Sequence, residues 1–223
     1  MVSCTIECLA ITDDYGMKHT NNSLTEDEWQ VFADHDFFLK KSVISAKLKR
    51  TLEQLHLALQ QELASHSLLA PDGFDPEAVQ FVKGEHLEDC PYQYLDFPRY
   101  YTRQDKLAFR ALCWWGHHLV FALIVEGPLV KQYRLNLFNR FPEVVDRQLS
   151  VSLSASLWEW KTGPGYTLDI THNRRSEIAA ALDRRTSFKV ARFMPIQHLK
   201  SDTDQIINAG VTAFQSILPI ITA

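Results

Sequence analysis

The chain has 223 residues, with 23 Lys or Arg against 27 Asp or Glu and a formal net charge of −4. A hydrophobic share of 46% over this length is enough to build one real core, which argues against disorder of the whole chain. The acidic balance argues against nucleic-acid binding, because phosphate contacts call for a basic excess.

No run of about 18 apolar residues is present, so no transmembrane helix and no membrane partner is expected. The longest apolar stretch, Leu119 to Val125, is followed by Glu126. The N-terminus has no basic region and carries Glu7 within its apolar part, so it does not read as a signal peptide and the cytoplasm is the expected compartment. Cys4, Cys8, Cys90 and Cys113 are then expected as free thiols, with Cys113 a small core residue.

In chain order, residues 1–23 read as an extension, either flexible or adding a strand through Thr5 to Ile11. Thr25 and Glu28 form a capping-box pattern that opens a short helix over Glu26 to Ala33. Next, Phe37, Ile44, Leu48, Leu52, Leu55, Leu59 and Leu63 fall within an arc of about 100° on a helix. The spacing predicts a long amphipathic helix capped by Asp34 or Asp36, with Leu57 off the stripe and exposed. The segment Glu77 to Tyr101 is aromatic-rich, and Pro91 and Pro98 suggest irregular or extended backbone there.

A hairpin follows. Leu107, Phe109, Ala111, Cys113 and Trp115 alternate with the other side of a strand, and Leu119 to Glu126 is apolar on both sides, which places it centrally in an antiparallel sheet. Pro128 opens a helix that Pro142 stops. Leu149, Val151, Leu153, Ala155 and Leu157 alternate with serines, the pattern of a half-buried strand. Tyr166 to Ile170 is a second candidate strand. A short helix over Asn173 to Arg184, a strand over Ser187 to Met194 and a C-terminal helix from Ser201 complete the chain. These elements describe a single α+β domain over residues 1–223, its antiparallel sheet packed against a long N-terminal amphipathic helix and a C-terminal helix.

Glycine-rich phosphate loops, the zinc-protease helix motif and the serine nucleophile motif are all absent, so no cofactor is expected. The densest chemistry lies between Leu95 and His118. Asp96, Arg99 and Arg110, with His117 or His118 nearby, form the candidate ligand site, because Arg and aromatic side chains on one sheet face can hold an anionic or planar ligand. The competing interpretation is a structural ion pair between Asp96 and Arg110. His117 and His118 are adjacent, and strand neighbours point to opposite faces, so no metal site is expected. Asp169 and His172 with Arg174 and Arg175 make a second polar group, which reads as a helix cap with a solvated turn.

Residues 83–118, KGEHLEDCPYQYLDFPRYYTRQDKLAFRALCWWGHH, resemble a segment of uncharacterised bacterial proteins of Bacteroidetes type. In these an LD[FY]PR element precedes an Arg-containing strand that ends in WWG. The resemblance implies a bacterial source and an α+β fold, and it transfers no activity, cofactor or site residue.

The functional expectation is a non-catalytic cytoplasmic binding or protein-interaction protein that self-associates through its long helix. The alternative is an enzyme acting on a small anionic substrate, with Asp96, Arg110 and one of the two histidines as an acid–base set.

Overall fold

The computed structural model describes residues 23–199 and 204–223. The candidate strand Thr5 to Ile11, Cys4, Cys8 and the expected helix start at Ser201 lie outside them. The chain divides into two compact units, 1–44 and 45–223. No change of composition marks this boundary, because it falls inside one continuous helix.

In the first unit, helix α1 spans Glu26–Ala33. Its capping box is formed: Thr25 Oγ1 accepts from the Glu28 N–H at 3.3 Å, and Glu28 Oε2 accepts from the Thr25 N–H at 2.6 Å. Helix α2, His35–Leu63, starts where Asp34 Oδ1 accepts the Phe37 N–H at 2.8 Å.

The second unit holds a seven-stranded sheet. Its strands are β1 (Gln80–Leu87), β2 (Cys90–Tyr101), β3 (Lys106–Trp114), β4 (His118–Glu126), β5 (Ser150–Ser152), β6 (Thr167–Asp169) and β7 (Ser187–Pro195). They lie in the order β1-β2-β3-β4-β7-β5-β6, and every pairing is antiparallel. The β3–β4 hairpin pairs Leu107 with Val125 and Cys113 with Leu119, as the alternating pattern requires. The remaining helices are α3 (Val130–Asn139), α4 (Phe141–Val144), α5 (Arg175–Leu182) and α6 (Asp204–Ile221). The fold is α+β, with both the long N-terminal helix and the C-terminal helix present.

Alternation gives the sheet two distinct faces. Phe109 of β3 and Leu119, Phe121 and Leu123 of β4 join the main core with Leu52, Leu55 and Leu59 of α2 and Phe214 and Ile217 of α6. Leu57 is exposed, as its place off the stripe requires, and Leu48 is only half-buried. Helices α2 and α6 touch closely, since a Cβ placed on Gly210 would lie 2.7 Å from Leu55 Cδ1. The opposite face carries a smaller cluster: Leu112, Trp114, Val120, Ala122 and Ile124 beneath Leu157 and Trp160.

Two segments depart in part from the sequence expectation. Residues 80–101 are extended, as one of the two expectations had it, and they form a hairpin with one register shift between Gly84 and Leu87. Its two-residue turn is Glu88-Asp89, both with positive φ (47° and 60°), without the glycine that usually marks such a turn. Pro91 sits at the start of β2, and Pro98 falls in the register shift between Asp96 and Arg99, so neither breaks the ladder. Conversely, the strand expected through Leu157 ends at Ser152. Ser154 Oγ accepts the Ser156 N–H, and Ser156 Oγ accepts the Trp158 N–H, so the serines bond their own backbone in place of a neighbouring strand.

Candidate functional site

Asp96 and Arg110 are opposite partners across β2 and β3, on the sheet face away from the helical core. Directly opposed residues place their side chains side by side. Arg110 Nε donates to Asp96 Oδ1 and Nη2 donates to Oδ2, both at 2.7 Å. This is the planar fork-to-fork match that guanidinium and carboxylate favour. Tyr101 Oη adds a third donor to Asp96 Oδ2 at 3.1 Å. Asp96 is 0% exposed and Arg110 is 7% exposed.

The Arg110 guanidinium also lies among aromatic faces. Its centre is 3.7 Å from the Tyr94 ring centroid, 5.1 Å from that of Trp158 and 5.6 Å from that of Trp160. Burial alone would lower its pKa, but the hydrogen bonds and charge of Asp96 outweigh that, and the group is held above its usual range. Burial, and then the Asp96 charge, push the Tyr101 hydroxyl well above the ordinary tyrosine range. Arg110 is therefore held in its charged form, and the Tyr101 hydroxyl keeps its proton as a donor to Asp96.

Beside the pair opens a cleft of about 320 Å3, lined by Leu87, Tyr92, Tyr94, Arg110, Leu112, Trp158 and Trp160. Tyr92 and Tyr94 stack at 6.2 Å with planes 6° apart, and Trp158 is 46% exposed at the rim. A larger cleft of about 450 Å3 is walled by Asp146, Ser150, Thr162, Asp169 and Thr171. There Ser150 Oγ donates to Asp169 and His172 Nε2 lies 3.7 Å from Asp146, so the second polar group of the sequence is a set of local surface contacts.

The five expected site residues do not form one cluster. Arg99 lies near the pair, its guanidinium centre 5.2 Å from the Tyr101 ring, and its Nε is buried with no hydrogen-bond partner among the described residues. His117 and His118 sit at the hairpin end. Trp114, beneath them, is four residues from Arg110 along β3, on the order of 13 Å at strand spacing. His117 stacks on Trp114 at 3.9 Å, and its Nε2 is 3.7 Å from Cys90 Sγ. The His118 ring packs edge-on against Phe193, and burial, then the neighbouring His117, lower its pKa.

Trp158, Trp160 and Lys189 belong to the site and were missed from the sequence. The two tryptophans stand one residue apart in LWEWKTGPGY, just past Leu157, where the expected strand ended. Lys189 lies between Phe188 and Val190, which point to the main core, so its side chain projects from the opposite face, and the sequence gives no sign of what covers it. It is 1% exposed there. Its Nζ donates to Leu157 O at 3.1 Å and to Glu159 O, and it lies 4.0 Å from the Trp160 centroid. Arg185 binds the other limb, donating to the carbonyls of Ser152, Leu153 and Ser154. Two basic side chains thus tie the tryptophan loop to the sheet through donated hydrogen bonds.

Burial pushes the Lys189 amine down to about 7; the Glu159 charge opposes this and Arg110 adds to it. Between pH 7 and about 8.5 the unfolded lysine keeps its proton while the folded one loses it. Stability therefore rises with pH in that window, by about 1.5 kcal/mol from this group. Urea unfolding at the two ends of the window should show the gain in the wild type and its loss in Lys189→Met; equal gains in both would assign it to another group.

No family model, curated protein or solved structure matches the chain. Among the described residues, no helix is long and apolar enough to cross a membrane.

Proposed function

We propose that the chain is a non-catalytic binding protein whose cleft beside Arg110 receives a planar, uncharged ring. The observation that supports this is how Arg110 is used: its fork is spent on Asp96, while the surrounding walls are aromatic. A free anion would have to compete with a buried carboxylate already held by two hydrogen bonds. A cation would meet Arg110 at the floor. A neutral ring meets neither obstacle and gains stacking on Tyr and Trp faces. The net charge of −4 favours a partner other than nucleic acid, and the cytoplasm remains the expected compartment.

The enzyme alternative has weaker support. Asp96 is wholly buried with three donors on its oxygens, and both histidines stand at the far end of β3. An acid–base set needs its members within hydrogen-bond reach of one substrate.

Titration followed by tryptophan fluorescence tests this. Adenosine and caffeine serve as planar, uncharged ring probes, and inorganic phosphate as the anion. A ring probe should alter the emission, and Trp158→Ala should weaken its binding ten- to a hundredfold, the worth of one stacked ring at about 1–3 kcal/mol. Binding of phosphate alone would defeat the proposal and favour the enzyme alternative.

A further inference from the structure

The described residues of the first unit, 23–44, include no buried side chain. Yet Trp29, Phe32, Phe37, Phe38, Val43 and Ile44 stand there, each 45–67% exposed. Scattered exposed apolar side chains are ordinary, but this density along two helices marks an unfilled interface. Aromatic side chains present about 150–250 Å2 each, so even half-exposed they supply on the order of several hundred Å2, against about 800 Å2 per partner in a standard interface.

The charges say what fills it. From residue 26 to residue 36 every fixed charge is negative: Glu26, Asp27, Glu28, Asp34 and Asp36. From residue 40 to residue 50 every one is positive: Lys40, Lys41, Lys47, Lys49 and Arg50. Acids near a helix start suit the macrodipole. The basic run has no such explanation, because it lies in the first half of a 29-residue helix, far from the C-terminal carbonyls. A parallel second copy would set like charge on like. An antiparallel copy sets acid on base twice, about a twofold axis, which is the self-complementarity an isologous pair requires.

We infer that two copies of this chain pair antiparallel through the apolar faces of α1 and the N-terminal half of α2. The inference is independent of the cleft.

Sedimentation equilibrium of the full chain tests it. The wild type should be dimeric at about 10 μM. Phe32→Ser with Phe38→Ser should weaken the dimer at least tenfold, and both sites are exposed enough to leave the fold intact. Lys40→Glu, Lys41→Glu and Lys47→Glu together should weaken it as well. Adding Glu26→Lys, Asp27→Lys and Asp36→Lys, which leaves the Thr25–Glu28 capping box in place, should restore it, because complementarity is rebuilt with the signs exchanged. A monomer at about 100 μM would overturn the inference; that is the result if residues 1–22 or an unlike partner cover these side chains. A dimer indifferent to the phenylalanine changes, or no restoration by the second reversal, would overturn it too.

Discussion

Replacing Asp96 by alanine should destabilise the protein by about 3–5 kcal/mol, the usual cost of leaving one member of a buried ion pair alone. Arg110 would keep its charge at 7% exposure with no carboxylate to face it. Tyr101 Oη would lose its acceptor in the same step. Because an isolated buried charge is the expensive species, removing both members should cost far less than removing one. The combination Asp96→Leu with Arg110→Met is therefore expected to recover most of the loss. Urea denaturation of the two single variants and the double gives the cycle. A cost below about 1 kcal/mol for Asp96→Ala would mean that water from the cleft solvates Arg110, and the pair would not be a structural anchor.

The second large effect is expected in the main core. Leu55 is 0% exposed, and Leu55→Ala should cost about 2–5 kcal/mol. The upper half of that range is expected, because the neighbour across the contact is Gly210, which has no side chain to move into the space. A loss under about 0.5 kcal/mol by chemical denaturation would place the leucine stripe on the surface.

Where period and composition agreed, the fold was legible. The leucine stripe, the capping box at Thr25 and Glu28, and the β3–β4 pairing each rest on local rules that tertiary packing then reinforced. The β1–β2 hairpin was not legible, since Glu88-Asp89 adopts a turn normally signalled by glycine and two prolines stood nearby. The serine alternation after Leu149 misled for the opposite reason: serine suits both a solvated strand face and a chain that bonds to itself, and periodicity cannot separate the two.

At the site, Asp96 and Arg110 stood out because charge, imidazole and indole are dense between Leu95 and His118, a segment held by a hairpin. The walls were not found. Trp158 and Trp160 reach Arg110 from a loop distant in the chain, and Lys189 is buried by that same loop, a contact that no local pattern announces. Distance in space also divided the expected cluster, since His117 and His118 are close to Arg110 in sequence but sit at the hairpin end, about half a strand away. The exposed aromatics of residues 29–38 were visible in the sequence as amphipathic positions, yet nothing local distinguishes a face that meets a core from one that does not.

The way the tryptophan loop is tied down has a consequence for how the protein can diversify. Lys189 and Arg185 grip five main-chain carbonyls, those of residues 152, 153, 154, 157 and 159. Every amino acid presents that oxygen, so the fastening is blind to which side chains the loop displays. The residue at 158, 46% exposed at the rim, is then free to be exchanged without releasing the loop, while Lys189 and Arg185 are not. A lineage of such proteins could change what the cleft recognises by drift at the rim alone, over an attachment that stays constant.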